Sequence, residues 1–85
     1  MSKNKGTLTV VVNGTPTEVE ANENAPLQTI ISKALHASGN AGQPPENWEL
    51  RDANGNELDL TKKIEDYAFP ATVILFLNPK AGIGG

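Results

Sequence analysis

One helical stripe, flanked on both sides by strand-like runs, constrains the fold of this chain most strongly. Apolar residues follow one another at spacings of three and four, which places them on a single helix face: Leu27, Ile30, Ile31, Ala34 and Leu35. Pro26 suits the first turn of a helix, and Gly39 suits a left-handed C-terminal cap. The pattern predicts one amphipathic helix near residues 25–38, which needs an apolar sheet face to cover.

The segment before the helix has the pattern of a β-hairpin. Residues 7–12 are rich in β-branched side chains, and residues 15–20 alternate with a period of two. Between them, Asn13-Gly14 readily adopts the positive φ angles of a type I′ turn. Pro16 has no backbone N–H to donate, so we expect it at a strand start or on a sheet edge.

The segment after the helix reads as a loop followed by more strands. A loop with two prolines is predicted at residues 39–47, and residues 48–52 alternate apolar and polar positions. A turn at residues 54–55 precedes a short strand around residues 57–58, and residues 71–77 are almost wholly apolar, as in a central strand. The order predicts an α+β fold: a mixed sheet of four or five strands with one helix across one face.

Size and charge exclude several classes of function. At 85 residues the chain fits one domain, and its formal charge is -3 with no basic run longer than Lys62-Lys63. We therefore expect neither nucleic-acid nor membrane binding. The absence of cysteine and of an apolar leader or span favours a soluble, cytoplasmic, monomeric protein.

The sequence offers no arrangement typical of catalysis or metal binding. Its one histidine, His36, lies opposite the apolar helix stripe, and no cysteine could share a metal with it. Asp52 opens a segment that mimics the start of a calcium loop, but Glu57 and Lys63 stand where that loop needs glycine and a bidentate glutamate. We expect a chain that is not an enzyme and holds no metal or cofactor.

Several local motifs occur in the order found in one known family. They are the proline-pair segment Ala-Gly-Gln-Pro-Pro-Glu at residues 41–46, the segment at residues 58–67 that ends in Tyr67, the apolar last strand, and Gly84-Gly85. Together they resemble ubiquitin and its relatives. The resemblance implies a ubiquitin-like β-grasp fold with three parts: a disordered N-terminal segment (1–6), the β-grasp domain (7–77) and a flexible tail (78–85).

The resemblance also implies a chemistry for the tail. In that family an E1-like activating enzyme uses ATP to adenylate the terminal glycine carboxylate and then holds it as a thioester. An E2-like conjugating enzyme transfers it to a lysine of a target protein, and a JAB-type or other peptidase can remove it. These roles map onto Gly84 and Gly85 only. Glycine has no Cβ, so two glycines can thread a narrow channel and leave the carbonyl open to attack.

The tail and the sheet face both depart from ubiquitin. Ubiquitin's tail carries arginines, whereas this tail contains Pro79, Lys80 and Ile83, which we expect dedicated enzymes to recognise. A partner-binding surface is expected where ubiquitin has its aliphatic patch, and here it would consist of Arg51, Ile74 and Phe76. The resemblance thus points to a divergent, bacterial modifier.

Two other functions are compatible with the same residues. A sulfur carrier would share the fold and the adenylation but end as a thiocarboxylate. A ubiquitin-like interaction domain would act through its sheet face without conjugation.

Overall fold

The computed structural model describes residues 5–40, 42–70 and 72–80. These residues form four strands, two α-helices and one 3-10 helix (Pro45–Asn47); the strands and α-helices have the chain order β1 (Lys5–Val12), β2 (Thr15–Asn22), α1 (Gln28–Ala37), β3 (Trp48–Arg51), α2 (Ile64–Tyr67) and β4 (Ile74–Pro79). The strands form one mixed sheet with the spatial order β2-β1-β4-β3. β1 runs parallel to β4, and the other two pairs are antiparallel. The predicted fold class is confirmed.

The β1–β2 hairpin forms as its turn chemistry predicts. Asn13 and Gly14 have φ angles of 48° and 91°, which are the positive values of a type I′ turn. Pro16 pairs in register with Val11 and lies on β2, an edge strand of the sheet, where its missing donor is tolerated.

The sheet extends beyond the predicted limits of the domain, residues 7–77. Lys5 of β1 pairs with Asn22 of β2, and Pro79 of β4 pairs with Trp48 of β3. Residues 5–6 and 78–79, which were expected to belong to the N-terminal segment and the tail, are therefore part of the sheet. Residues 1–4 and 81–85 lie outside the described part of the chain.

Helix α1 begins three residues later than predicted, at Gln28 rather than at residue 25. The Ala25 carbonyl, which would accept the first hydrogen bond of a helix starting there, instead accepts the Ile64 N–H at 3.0 Å, and the Thr29 N–H donates to the Pro26 carbonyl in a tighter turn. The C-terminal end agrees with expectation: Gly39 has φ +86°, in the left-handed region of a C-terminal cap.

The predicted fifth strand near residues 57–58 is reduced to a single bridge. Glu57 pairs with Arg51 as an isolated bridge, and the Leu58 N–H donates to the Leu50 carbonyl at 2.9 Å. The sheet has four strands among the described residues. Asn56 and Asp52 are engaged in the preceding turn, which leaves too short a segment for a ladder.

The core lies between the inner face of the sheet and α1. The predicted helix stripe is buried throughout, as are the inward residues of β1, β3 and β4. All buried side chains in the described ranges are apolar: Leu8, Val10, Val12, Val19, Ala21, Leu27, Ile30, Ile31, Ala34, Leu35, Trp48, Leu50, Ile64, Leu75 and Leu77. No helix of the described residues has the length and hydropathy that a membrane span requires.

Candidate functional site

The outer face of the sheet brings together the three residues predicted to bind a partner. Leu75 and Leu77 of β4 point into the core, so Ile74 and Phe76 point outward. Phe76 pairs in register with Arg51 on one side and with Val11 on the other. Val11, Arg51, Ile74 and Phe76 thus form one cluster across three strands, which we call the outer patch.

Exposure within the outer patch is graded. Ile74 is 44% exposed, and among the described residues it is the one large hydrophobic side chain that is exposed. Val11, Arg51 and Phe76 are half-buried. The outer patch therefore has Phe76 at its centre and one exposed aliphatic side chain, Ile74, at its margin.

Arg51 is held in place at the margin of the outer patch. Its Nε donates to Glu49 Oε2 at 2.8 Å, and its Nη1 donates to the Gly55 carbonyl at 2.7 Å. The hydrogen bond from Arg51 holds the pKa of the Glu49 carboxyl below its ordinary value of 4.5. Because two acceptors fix the guanidinium, a partner would meet an oriented polar edge beside Phe76.

In the turn after β3, backbone N–H groups donate hydrogen bonds to the carboxylate of Asp52. Asp52 Oδ1 accepts the backbone N–H groups of Asn54 and Asn56 at 2.9 and 3.0 Å. The hydrogen bond from the Asn56 backbone makes the largest contribution to lowering the pKa of Asp52 below 3.8. This local capping agrees with a hairpin turn rather than a calcium loop. A groove of about 370 Å³ lies between this turn and Ile74.

These hydrogen bonds predict a pH-dependent contribution to stability. The folded pKa of Asp52 is depressed, so its stabilising effect is present above its ordinary value of 3.8 and is lost as the pH falls through the folded value. Asp52→Asn keeps an acceptor but removes the titration. The difference in unfolding free energy between the wild type and this variant should therefore shrink as pH falls from about 6 to about 3. Urea denaturation at several pH values measures it, and a constant difference would contradict the assignment.

The end of β4 positions the chain beyond the sheet. Pro79 is the last residue of the strand, and the Lys80 N–H donates to the Asn47 carbonyl at 2.8 Å. Both side chains are exposed. The other predicted tail residues, Ile83, Gly84 and Gly85, lie outside the described residues. Residues 81–85 could span at most about 18 Å from this anchored point.

Val11 and Glu49 belong to the neighbourhood of the predicted site but were not among the predicted site residues. Val11 alternates with the buried Val10 and Val12, so a period of two alone indicates that it faces outward. What the sequence does not show is that β1 lies beside β4, which is a pairing between distant segments. The outward position of Glu49 is indicated by the same alternation on β3, where its neighbours Trp48 and Leu50 are buried.

With this geometry established, comparison with known proteins gives the family. The family described as "Protein of Unknown function (DUF2604)" matches residues 1–85. The chain belongs to the DUF2604 family. The uncharacterized protein y4jI of Sinorhizobium fredii is 54% identical to this DUF2604 member over 76 residues. That match covers 89% of the chain and 58% of the relative, so the chain spans little more than half of that protein.

Solved structures with ubiquitin-like folds resemble this DUF2604 member closely in backbone. A ubiquitin of Caldiarchaeum subterraneum superposes with a TM-score of 0.74 at 21% identity, over 95% of this chain and 99% of that one. The ubiquitin-like domain of Arabidopsis thaliana At2g32350 gives 0.72 at 18%, over 94% and 82%. A designed protein based on ubiquitin gives 0.77 at 20%, over 99% of both. At these identities the similarity establishes the ubiquitin-like fold.

Proposed function

We propose that this DUF2604 member is a ubiquitin-like protein modifier that is conjugated through the carboxylate of Gly85. The observation that carries the proposal is the exit of the chain from a ubiquitin-like domain. β4 lies between β1 and β3, and the chain leaves it at Lys80 toward Gly84-Gly85. The proposal requires that Gly85 carry the free carboxylate in the mature protein.

The reaction needs four steps and partner enzymes in the cytoplasm. The Gly85 carboxylate attacks ATP, releases pyrophosphate and forms an acyl adenylate on an activating enzyme. A cysteine thiolate of that enzyme displaces AMP and gives a thioester. After transfer to a conjugating enzyme, the amine of a target lysine displaces the thiol and forms an isopeptide bond. A peptidase that hydrolyses this bond would make the modification reversible.

The domain contributes a rigid handle and the tail contributes the reactive arm. A free carboxylate is anionic and lacks a good leaving group, so it must be activated with ATP before an amine can attack it. The missing Cβ atoms at Gly84 and Gly85 let the tail enter a narrow active site. Pro79, Lys80 and Ile83 would give the tail a shape and charge that differ from ubiquitin's.

The outer patch is proposed to dock the partner enzymes. Ile74→Asp places a charge at the exposed apolar position of this patch and should slow thioester formation about tenfold at low concentrations of the chain. Gln43→Asp, on an exposed loop elsewhere, is the matched control and should leave the rate unchanged. Both side chains are exposed, so neither variant should unfold. Equal rates of thioester formation for the two variants would show that the outer patch does not dock the partner enzymes.

A lysate of the source cells tests the activation step. Epitope-tagged chain is added with ATP, and the mixture is separated with and without a thiol reductant. We expect a larger species that requires ATP and disappears when the thiol is added, as a thioester must. If only the free protein is found with ATP present, the activation step is refuted.

The outer patch also favours a second candidate, an interaction domain that binds partners without being conjugated. Its function would depend on Arg51, Ile74 and Phe76 and not on the tail. Blocking the terminal carboxylate as an amide distinguishes the two functions. Partner binding would survive this change for an interaction domain, whereas a modifier would lose every ATP-dependent adduct.

A further inference from the structure

A groove at one end of the sheet lies between the first half of β1 and the segment that begins with α2. It measures about 440 Å³, and its lining includes Gly6, Leu8, Ala21, Ile64, Phe69 and Pro70. Among the described residues, the pairing of β1 with β4 covers residues 9–12 of β1, so residues 6–8 extend past the start of β4. This part of β1 therefore borders open space, which we call the β1–α2 groove.

Small residues keep the β1–α2 groove open above an apolar floor. Gly6 pairs in register with Ala21, and both lie on the same sheet face as the buried Leu8. A Cβ built on Gly6 has no neighbouring atom within 4 Å. Ala21, Leu8 and Ile64 are all buried below this space. The groove therefore has room for an apolar side chain from another molecule.

Two glutamates lie at the rim of the β1–α2 groove. Glu23 and Glu65 line it, and both side chains are exposed. The Glu65 N–H donates to the Glu23 carbonyl at 3.0 Å, which holds the two main-chain positions together. Glu65 Oε2 lies 3.9 Å from Lys63 Nζ, but an ion pair this exposed adds little stability and leaves the carboxylate open to another cation. The rim therefore favours a positive charge.

An aromatic ring beside these carboxylates narrows the choice of cation. Phe69 lines the groove and is half-buried. Its ring is stacked on that of Tyr67, with the ring centroids 5.1 Å apart and an angle of 5° between the planes. A guanidinium is planar, stacks on aromatic faces and donates to carboxylates in pairs, whereas an ammonium is a compact, strongly hydrated charge. Arginine therefore matches this groove better than lysine.

The chain itself offers no suitable arginine. Its one arginine is Arg51, and the guanidinium already donates to Glu49 and to the Gly55 carbonyl. The formal charge of -3 also makes two copies repel each other. A polyamine carries positive charge but has no apolar side chain for the floor. A segment of another protein is the occupant whose chemistry fits both the rim and the floor.

We propose that the β1–α2 groove binds a short segment of a partner protein in which an apolar residue and an arginine stand two positions apart. An extended backbone presents both side chains on one side. The apolar side chain enters the space beside Gly6, and the guanidinium lies near Phe69 and the carboxylates of Glu23 and Glu65. This site is apart from the outer patch and does not depend on the chemistry of Gly85.

NMR titration of the full chain with a capped peptide tests the proposal. The peptide has the order serine, leucine, serine, arginine, serine. We expect the amide shift changes to fall on residues 6–8, 21–23 and 64–70. Replacing the arginine by citrulline, which keeps the shape but removes the charge, should weaken binding roughly fivefold. Replacing the leucine by serine should weaken it about tenfold, because the apolar contact is lost.

Two pairs of variants test the same site from the side of the protein. Gly6→Leu fills the groove and should weaken binding at least about tenfold, whereas Gly42→Leu adds the same atoms at another open position and should alter it less than about twofold. Glu23→Lys should weaken binding roughly fivefold, and Glu46→Lys, the same charge change at another exposed position, less than about twofold. Thermal melts show that all four variants are folded.

Equal binding by Gly6→Leu and Gly42→Leu, or equal binding of the citrulline peptide, would overturn the proposal. Shift changes centred on Ile74 would also overturn it, because they place the peptide on the outer patch. Equal shift changes with spermine alone would identify a small cation as the occupant instead. Changes in the amides of residues 64–70 without peptide would identify the chain itself, either when residues 1–4 are deleted or when the protein is concentrated.

Discussion

Replacing Ile30 by alanine is expected to lower the free energy of unfolding by about 3 kcal/mol, which is a large part of the stability of a domain this small. Ile30 lies on α1 against the inner sheet face and is 0% exposed. Removing its buried carbon atoms loses transfer free energy and leaves a cavity that the surrounding core fills only in part. The corresponding fall in melting temperature is about 15 °C.

Ile74→Ala is the matched control, because it removes the same atoms from a side chain that is 44% exposed. Its cost should be below about 1 kcal/mol. The single tryptophan, Trp48, is buried against the core and reports unfolding of both variants by fluorescence. Equal losses of stability in Ile30→Ala and Ile74→Ala would contradict the assignment of Ile30 to the core and of Ile74 to the outer face of the sheet.

Gly84→Ala is expected to lower the rate of conjugation about a hundredfold while leaving the melting temperature unchanged. A methyl group at this position would collide with a narrow catalytic channel and displace the neighbouring carbonyl, and displacements of about 1 Å cost about that much in rate. The stability expectation follows from the fold, because the core residues found in the described part of the chain all lie within residues 8–77. ATP-dependent adducts and thermal melts are measured on the same samples.

Gly42→Ala provides the control for the substitution itself. Gly42 lies in the loop after α1, and a Cβ built on it has no neighbouring atom within 4 Å. This variant should conjugate at the wild-type rate. If Gly84→Ala instead conjugated normally, or lost stability as strongly as Ile30→Ala, the tail would not be the reactive arm that we propose.

Local patterns predicted most of the elements, and contacts between distant segments account for the differences. The apolar stripe predicted α1 and its buried face, and Asn13-Gly14 predicted the hairpin turn. The late start of α1 could not be predicted, because it follows from the hydrogen bond that the Ala25 carbonyl accepts from the distant Ile64 N–H. The predicted short segment at residues 57–58 does pair back onto Arg51, but the pairing ends after one bridge, so the sheet has the lower of the two predicted strand numbers among the described residues.

Local sequence patterns also predicted the candidate site only in part. Alternation along β4 predicted that Ile74 and Phe76 face away from the helix. Their grouping with Val11 depends on the parallel pairing of β1 with β4, which no local pattern indicates. The β1–α2 groove likewise becomes apparent only when the register of β1 with β4 is known.

The central claim, that Gly85 is joined to target proteins, is tested most directly by mass spectrometry of the tagged chain isolated from its source cells under denaturing conditions. We predict branched peptides in which the Gly85 carbonyl forms an amide with the side-chain amine of a target lysine. They should disappear when Gly85 is deleted. Isolation of only unmodified protein, of a chain that continues past Gly85, or of a form in which sulfur replaces one carboxylate oxygen would contradict the claim.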